Sequence, residues 1–358
     1  MIKRILYTLL IMFPVVASAQ INTDRVMAIG RNALYFEDYV LSIQYFNQVI
    51  NAKPYLSDPY FYRGLAKINL DDFQGAESDC SEAIERNPFV VSAYQVRGLA
   101  RIQQNNFAGA IEDYTKALEF DPENIGVWHN MALCRIRQED YKGAKNDLDK
   151  LIAISPRYTK AYLMRGEVDL KQKDTLAAEK DFGKAIEIDR YDADTWASRA
   201  ILRLQQQRYK DAEADFDHAI RLSTRNSGVY INRALARYHQ NNLRGAMSDY
   251  DIALDIDPNN FIGHYNRGLL RAQVGDDNRA IQDFNFVIEM EPDNMMAIFN
   301  RGLLLDQTGD YKGAIKDYST VINEYPNFLL GYQYRAQARR KIGDVKGADA
   351  DEFKVLKD

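Results

Sequence analysis

Cysteine and histidine are nearly missing from this chain of 358 residues, which holds two of the first and four of the second. Two thiols exclude a scaffold built on disulfides, and four imidazoles leave little for a zinc site. Nine prolines and 20 glycines are also few, but their placement decides the fold. No excess of positive charge exists, since 46 Lys and Arg face 51 Asp and Glu for a net charge of −5. That balance argues against nucleic acid as a partner. Disorder is excluded by a 46% hydrophobic content, which is ample material to bury. Length alone suggests two or three compact domains.

The first 19 residues stand apart. Lys3 and Arg4 precede an apolar run of 12 residues, Ile5 to Val16. As a helix that run is too short to cross roughly 30 Å of hydrocarbon. Ala17-Ser18-Ala19 then offers the small residues a signal peptidase requires. The pattern predicts a signal peptide over 1–19, cleaved to leave Gln20, with retention as an anchor the alternative. No cysteine follows the cleavage site, so a lipid-modified N-terminus is not implied. The mature chain is expected to be periplasmic or secreted, without a stable membrane span, and at net charge −7 once Lys3 and Arg4 are gone.

Beyond the leader a period of 34 residues runs without a slip. Arginine recurs at Arg63, Arg97, Arg165, Arg199, Arg233, Arg267, Arg301 and Arg335, with Met131 filling the one gap. A glycine or alanine follows each, from Gly64 and Gly98 to Gly302 and Ala336. Alanines keep the same register from Ala76 through Ala110 to Ala348, and seven of the nine prolines do so from Pro54 to Pro326.

One period reads as helix–turn–helix. Tyr94, Gly98 and Ile102 share a helical face, at i, i+4 and i+8. Asn105-Asn106 interrupts the pattern as a turn does. Phe107, Ala110, Tyr114, Ala117 and Leu118 form a second apolar face, and Pro122 cannot continue the helix because it lacks an N–H. Gly98 and Ala110 are small where two antiparallel helices approach closely. A single pair cannot bury both apolar faces, so neighbours must stack.

These repeats resemble the tetratricopeptide repeat family. The family's aromatic and glycine appear in Tyr94-Gln95-Val96-Arg97-Gly98, its second-helix set in Ala110, Tyr114 and Ala117, and its closing proline in Pro122. Tyr60, Trp128, Tyr162, Trp196, Tyr230 and Tyr332 open other repeats. The resemblance implies a right-handed, all-α solenoid over 20–358, with repeats at 23–56, 57–90, 91–124, 125–158, 159–192, 193–226, 227–260, 261–294, 295–328 and 329–358. Departures are local. Arg97 and Arg101 replace a leucine and an aromatic, Thr175 and Asp277 replace turn aromatics, and Arg190 and Thr224 stand where proline is expected. Glu352 in place of an aromatic fits a polar terminal cap.

Aspartates keep step with the arginines at Asp79, Asp113, Asp147, Asp181, Asp215, Asp249, Asp283, Asp317 and Asp351. The first repeat lacks both partners, having Ile29 and Tyr45. Joint absence favours an Arg–Asp clasp between the two helices of a repeat over an anion-binding stripe, and an exposed pair of this kind contributes under about 1 kcal/mol. Lys67, Arg101, Arg135, Arg203, Arg237, Arg271 and Arg339 lie one turn on and need nearby carboxylates of their own.

Another set of columns lies off the face of Tyr230 and Ala234. It comprises Ile231, Tyr265 and Phe299, then Asn232, Asn266 and Asn300, then Leu235, Leu269 and Leu303, then His239, Gln273 and Gln307. In the tetratricopeptide family this second face lines the concave groove that holds peptides, so the resemblance implies a peptide- or protein-binding groove at these residues. An amide side chain has both a donor and an acceptor, and so matches any peptide group. The N-terminal counterpart, Phe61, Gln95, His129 and Leu163, is less regular, and the lysine and asparagine placements of members that clamp a C-terminal carboxylate are absent. Tyr265 and Phe299 also suit a sugar ring, which leaves a glycan open.

Catalytic and metal chemistry find no support. Asp255, Asp257 and Asn259 look like the start of a calcium loop, but Asn260 stands at the turn glycine and Asn266 at the bidentate glutamate. His129, His218, His239 and His264 have no ligand spacing, and the acidic pairs recur in every repeat rather than in unlike environments. Cys80 and Cys134 are a whole helix pair apart, beyond the roughly 7 Å limit for a disulfide, and are expected to be buried free thiols. The sequence therefore predicts a non-enzymatic scaffold without cofactor or metal, binding a peptide or protein in its groove. The alternative is a structural assembly factor of an envelope complex, acting through its convex face or ends.

Overall fold

The computed structural model describes residues 22–357, so the expected leader lies outside the described residues. Among them, twenty helices follow one another with no strand. In order they are α1 (Thr23–Tyr35), α2 (Tyr39–Ala52), α3 (Asp58–Ile68), α4 (Phe73–Arg86), α5 (Val91–Gln103), α6 (Phe107–Phe120), α7 (Ile125–Arg137), α8 (Tyr141–Ile154), α9 (Thr159–Lys171) and α10 (Thr175–Ile188). There follow α11 (Ala193–Gln205), α12 (Tyr209–Leu222), α13 (Ser227–His239), α14 (Leu243–Ile256), α15 (Phe261–Gln273), α16 (Asp277–Met290), α17 (Met295–Thr308), α18 (Tyr311–Glu324), α19 (Leu329–Lys341) and α20 (Val345–Lys357). The chain divides into two compact units, one up to Ala161 and one from Tyr162 onward. In the N-terminal unit each of α1 to α8 packs on the next, and in the C-terminal unit α10 to α20 do the same. This is the all-α solenoid of helix–turn–helix repeats that the period predicts.

The turn inside each repeat is built by one rule. A residue of positive φ ends the first helix, and the next residue caps the second. Glu37, Asp71, Asn105, Glu139, Lys173, Gln207 and Asn241 take φ between 59° and 65°, whereas the last three repeats place Gly275, Gly309 and Gly343 there. In most repeats the following Asp or Asn accepts a backbone N–H three residues on, as Asp72 does from Gly75 and Asn106 from Gly109, whereas Arg208 and Asp276 stand there without a side-chain cap. At the far end, Asp121 before Pro122 is extended at φ −135° and ψ 82°, the conformation a following proline imposes. Asp189 and Ser223 adopt the same geometry before Arg190 and Thr224, so the chain breaks there without proline, and at Asp189 the carboxylate accepts from the Tyr191 N–H.

Small residues sit where the helices meet. A Cβ on Gly98 would lie 2.7 Å from the ring of Tyr114, so the glycine makes room for the buried aromatic of the second helix. Behind it Tyr94, Ala110, Tyr114, Ala117, Val127 and Met131 form one continuous cluster from repeat to repeat. Cys80 and Cys134 are buried and unbridged, and burial pushes their thiols up to about 12 and about 11.

The clasps are present and reach further than one repeat. Arg233 donates from Nε and Nη2 to Asp249, at 2.9 and 2.6 Å, and its Nη1 donates to Asp217 of the preceding repeat at 2.7 Å. Arg237 donates to the same Asp249 at 2.8 Å and to Glu213 of the preceding repeat at 2.7 Å. Arg97, Arg267, Arg301 and Arg335 likewise reach back to Ser81, Asp251, Asn285 and Ser319. Asp249 is 1% exposed. The expectation of exposed, nearly worthless pairs is therefore corrected: these carboxylates are buried, and removing one member of a buried pair costs about 3–5 kcal/mol. In the repeat that carries Met131, Asp147 has Arg135 at 2.7 Å, while another nitrogen of Arg135 turns to Asp140 at 2.8 Å.

Candidate functional site

The columns picked out on α13, α15 and α17 all fall in the C-terminal unit, on first helices that touch in succession, α13 meeting α15 through Ile231 and Leu270. Their environments differ. Ile231 is 6% exposed and packs with Tyr230, Ala234 and Leu270, so its side chain serves the core. Asn232, Asn266 and Leu235 are half-buried. Among the described residues neither Asn232 nor Asn266 has a side-chain hydrogen bond within the chain, which leaves both amides unspent at the surface. Leu269, Gln273 and Gln307 are exposed. His239 is exposed and lies flat on Tyr209, with ring centres 4.6 Å apart and planes 10° apart.

Two predicted residues meet directly. The Asn300 side-chain amide donates to the Tyr265 hydroxyl at 3.1 Å, joining α17 to α15. Burial raises the Tyr265 pKa, and the bond from Asn300 opposes that rise. Phe299 packs edge-on against Phe328 and Tyr334, and with Leu303 it borders the cluster of Ala314, Tyr318 and Ala338. The asparagine ladder is thus uneven, with two free rungs and one tied.

Two apolar pockets adjoin these aromatics. One of about 230 Å³ is lined by Phe261, Ile262, Tyr265, Asn294 and Met296. Another of about 420 Å³ involves Met295, Met296, Phe299, Val321, Tyr325 and Phe328, with Asp293 at its edge. Met296, 68% exposed, belongs to both. Sequence reasoning found Tyr265 and Phe299 but missed the rest of these walls, although a signal exists. The pairs Phe261-Ile262, Met295-Met296 and Leu329-Leu330 open three successive first helices, where earlier repeats have Thr159-Lys160, Ala193-Asp194 and Ser227-Gly228.

The N-terminal unit holds a larger cavity of about 650 Å³ between α1 and the start of α3, lined by Met27, Arg31, Tyr55, Ser57 and Arg86 among others. The Arg86 guanidinium there is already committed, lying 4.1 Å from the Tyr60 ring centre and donating to the Pro54 carbonyl. The segment resembling a calcium loop is a helix cap: Asn260 accepts from Gly263 and donates to Asp257. Among the described residues no group of three or more His, Cys, Asp or Glu is placed to hold a metal ion, and no helix is long and apolar enough to cross a membrane.

Family models described as TPR repeat or tetratricopeptide repeat match residues 98–134, 125–158, 159–192, 198–261 and 265–327. Among curated proteins none matches the chain. Among solved structures the chain is similar to a tetratricopeptide repeat protein from Parabacteroides merdae, at 21% identity over 70% of this chain and 98% of that one, with a TM-score of 0.54. It is also similar to the C-terminal part of a TPR repeat-containing protein from Cytophaga hutchinsonii, at 17% identity over 66% and 97%, TM-score 0.54. Pseudomonas aeruginosa pilF matches at 18% identity over 60% and 97%, TM-score 0.54. At these identities the likeness is one of fold.

Proposed function

Because the chain belongs to the tetratricopeptide repeat family, we propose that it is an exported, non-enzymatic scaffold that holds a peptide or a segment of a partner protein along α13, α15 and α17. The observation that carries this reading is the pair of unspent amides, Asn232 and Asn266, standing among partly exposed apolar side chains on successive first helices. Helices packed side by side lie about 8–10 Å apart, and an extended chain advances about 3.3 Å per residue, so successive repeats meet about every third peptide group. Export rests on the basic, apolar and small-residue pattern of residues 1–19.

A crosslinking pull-down from native envelope extract tests the reading, comparing residues 20–358 with an Asn232→Ala/Asn266→Ala/Asn300→Ala variant. A partner kept by the parent and lost by an equally folded variant is the expected result. Equal recovery by both would move binding to the convex face or the ends, as an assembly factor requires.

A further inference from the structure

The three chain segments around the two apolar pockets, 255–266, 286–300 and 320–334, contain six carboxylates and no lysine or arginine. Four of the six, Asp255, Glu289, Asp293 and Glu324, are exposed, and among the described residues none of these four forms an ion pair. The bases that follow the three segments, Arg267, Arg301 and Arg335, are spent on the buried Asp283, Asp317 and Asp351, while Arg279 and Lys316 stand outside the segments on α16 and α18. The corresponding junctions of earlier repeats vary: Arg221 and Arg225 precede α13 and Arg157 and Lys160 flank the start of α9, whereas Glu119, Asp121 and Glu123 precede α7 with no base among them. Apolar walls therefore coincide with a stretch of the C-terminal unit that is acidic within these segments, and one of its carboxylates, Asp293, lines a pocket.

We propose that these pockets receive two large apolar side chains of one extended peptide whose flanking residues are lysine or arginine. The inference rests on the groove reading, because Tyr265 and Phe299 belong both to the groove columns and to the pocket walls. The pockets share Met296 and open at the starts of the touching helices α15 and α17. A helix-to-helix step of about 8–10 Å corresponds to about three residues of extended chain, so the two apolar residues stand about three apart. Desolvated apolar anchors supply affinity, while the exposed carboxylates steer a cationic segment and repel acidic peptides and anionic lipid surfaces.

The test is fluorescence anisotropy on residues 20–358, with a labelled peptide carrying two phenylalanines three residues apart among lysines. Ile262→Ser/Met296→Ser should weaken binding about ten-fold or more. Both positions are exposed, so helicity and melting should be unchanged. Glu289→Lys/Asp293→Lys should weaken binding and flatten its dependence on salt. Peptides with glutamate for lysine, or alanine for phenylalanine, should fail to bind. No binding of the lysine–phenylalanine peptide, equal binding by parent and variants, or equal binding of the glutamate peptide would each overturn the proposal, as would capture of anionic vesicles. If the peptide fails while the asparagine variant still loses its partner, this inference falls and the groove reading stands. Peptide binding that depends on Met296 but not on the asparagines would remove the ladder and leave the pockets.

Discussion

Asp147 and Asp249 occupy the same place in their repeats under opposite electrostatic conditions. Asp249 accepts from both Arg233 and Arg237, and each arginine is anchored in turn to the repeat before. Asp249→Ala leaves two half-buried guanidinium groups short of a partner, and about 3–5 kcal/mol of stability should be lost. Urea denaturation followed by circular dichroism measures this, and the midpoint should fall. Asp147 lost one arginine to Met131, and burial pushes its carboxyl up to about 6 against the attraction of Arg135. The sign therefore reverses. A carboxyl whose folded pKa lies above its unfolded value of about 3.9 binds more protons when folded, so its contribution falls as pH rises between those values. Asp147→Asn should match the parent below about pH 4, gain on it from there to about pH 6, and hold a constant advantage above. Paired melting curves across that range give the difference directly, and an advantage that shrinks with rising pH would refute the assignment.

At the scale of the helix, the same turn is made with and without the residue that suits it. Glycine takes positive φ freely, whereas an L residue with a side chain pays about 1–2 kcal/mol. Gln207 holds φ 61° and is exposed, so Gln207→Gly should stabilise the chain by up to about 1 kcal/mol, while Gly309→Ala, at φ 93°, should destabilise it comparably. Both are read from the midpoint of thermal unfolding. Helix and turn positions were legible in the sequence because they depend on residues within one repeat: Asn105-Asn106 and Pro122 mark their breaks locally. The helix ends at Asp189 and Ser223 lack the proline that marks the others. The reach of Arg233 to Asp217 was hidden because it is a contact between repeats rather than within one. Column position alone also failed to separate buried Ile231 from half-buried Tyr265, because the wall it faces belongs to other helices. Apart from Tyr265 and Phe299, the pocket walls were legible in principle as apolar pairs in register, at positions outside the columns chosen.

For the whole chain, a strict period means that a complete repeat is removable while half of one is not. Excising 193–226 would bring α13 against α10 in place of α12, in the same register. The seam would then offer Phe182 for Phe216, Ala185 for Ala219 and Glu179 for Glu213, each one period earlier. Arg237 keeps a carboxylate in this arrangement, and Arg233 keeps Asp249 while it exchanges Asp217 for Gly183. The shortened chain should therefore remain helical and unfold cooperatively, with its urea m-value reduced by about a tenth because m follows the surface exposed. Excising 193–209 instead removes one first helix and its turn, which sets α12 directly after α10 and leaves no antiparallel partner for Phe216. That chain should lose helix well beyond the residues deleted. Residues 227–307 are untouched by the full-period deletion, so it should bind as the parent does. Loss of binding with the fold intact would mean that recognition extends beyond α13, α15 and α17 to earlier repeats.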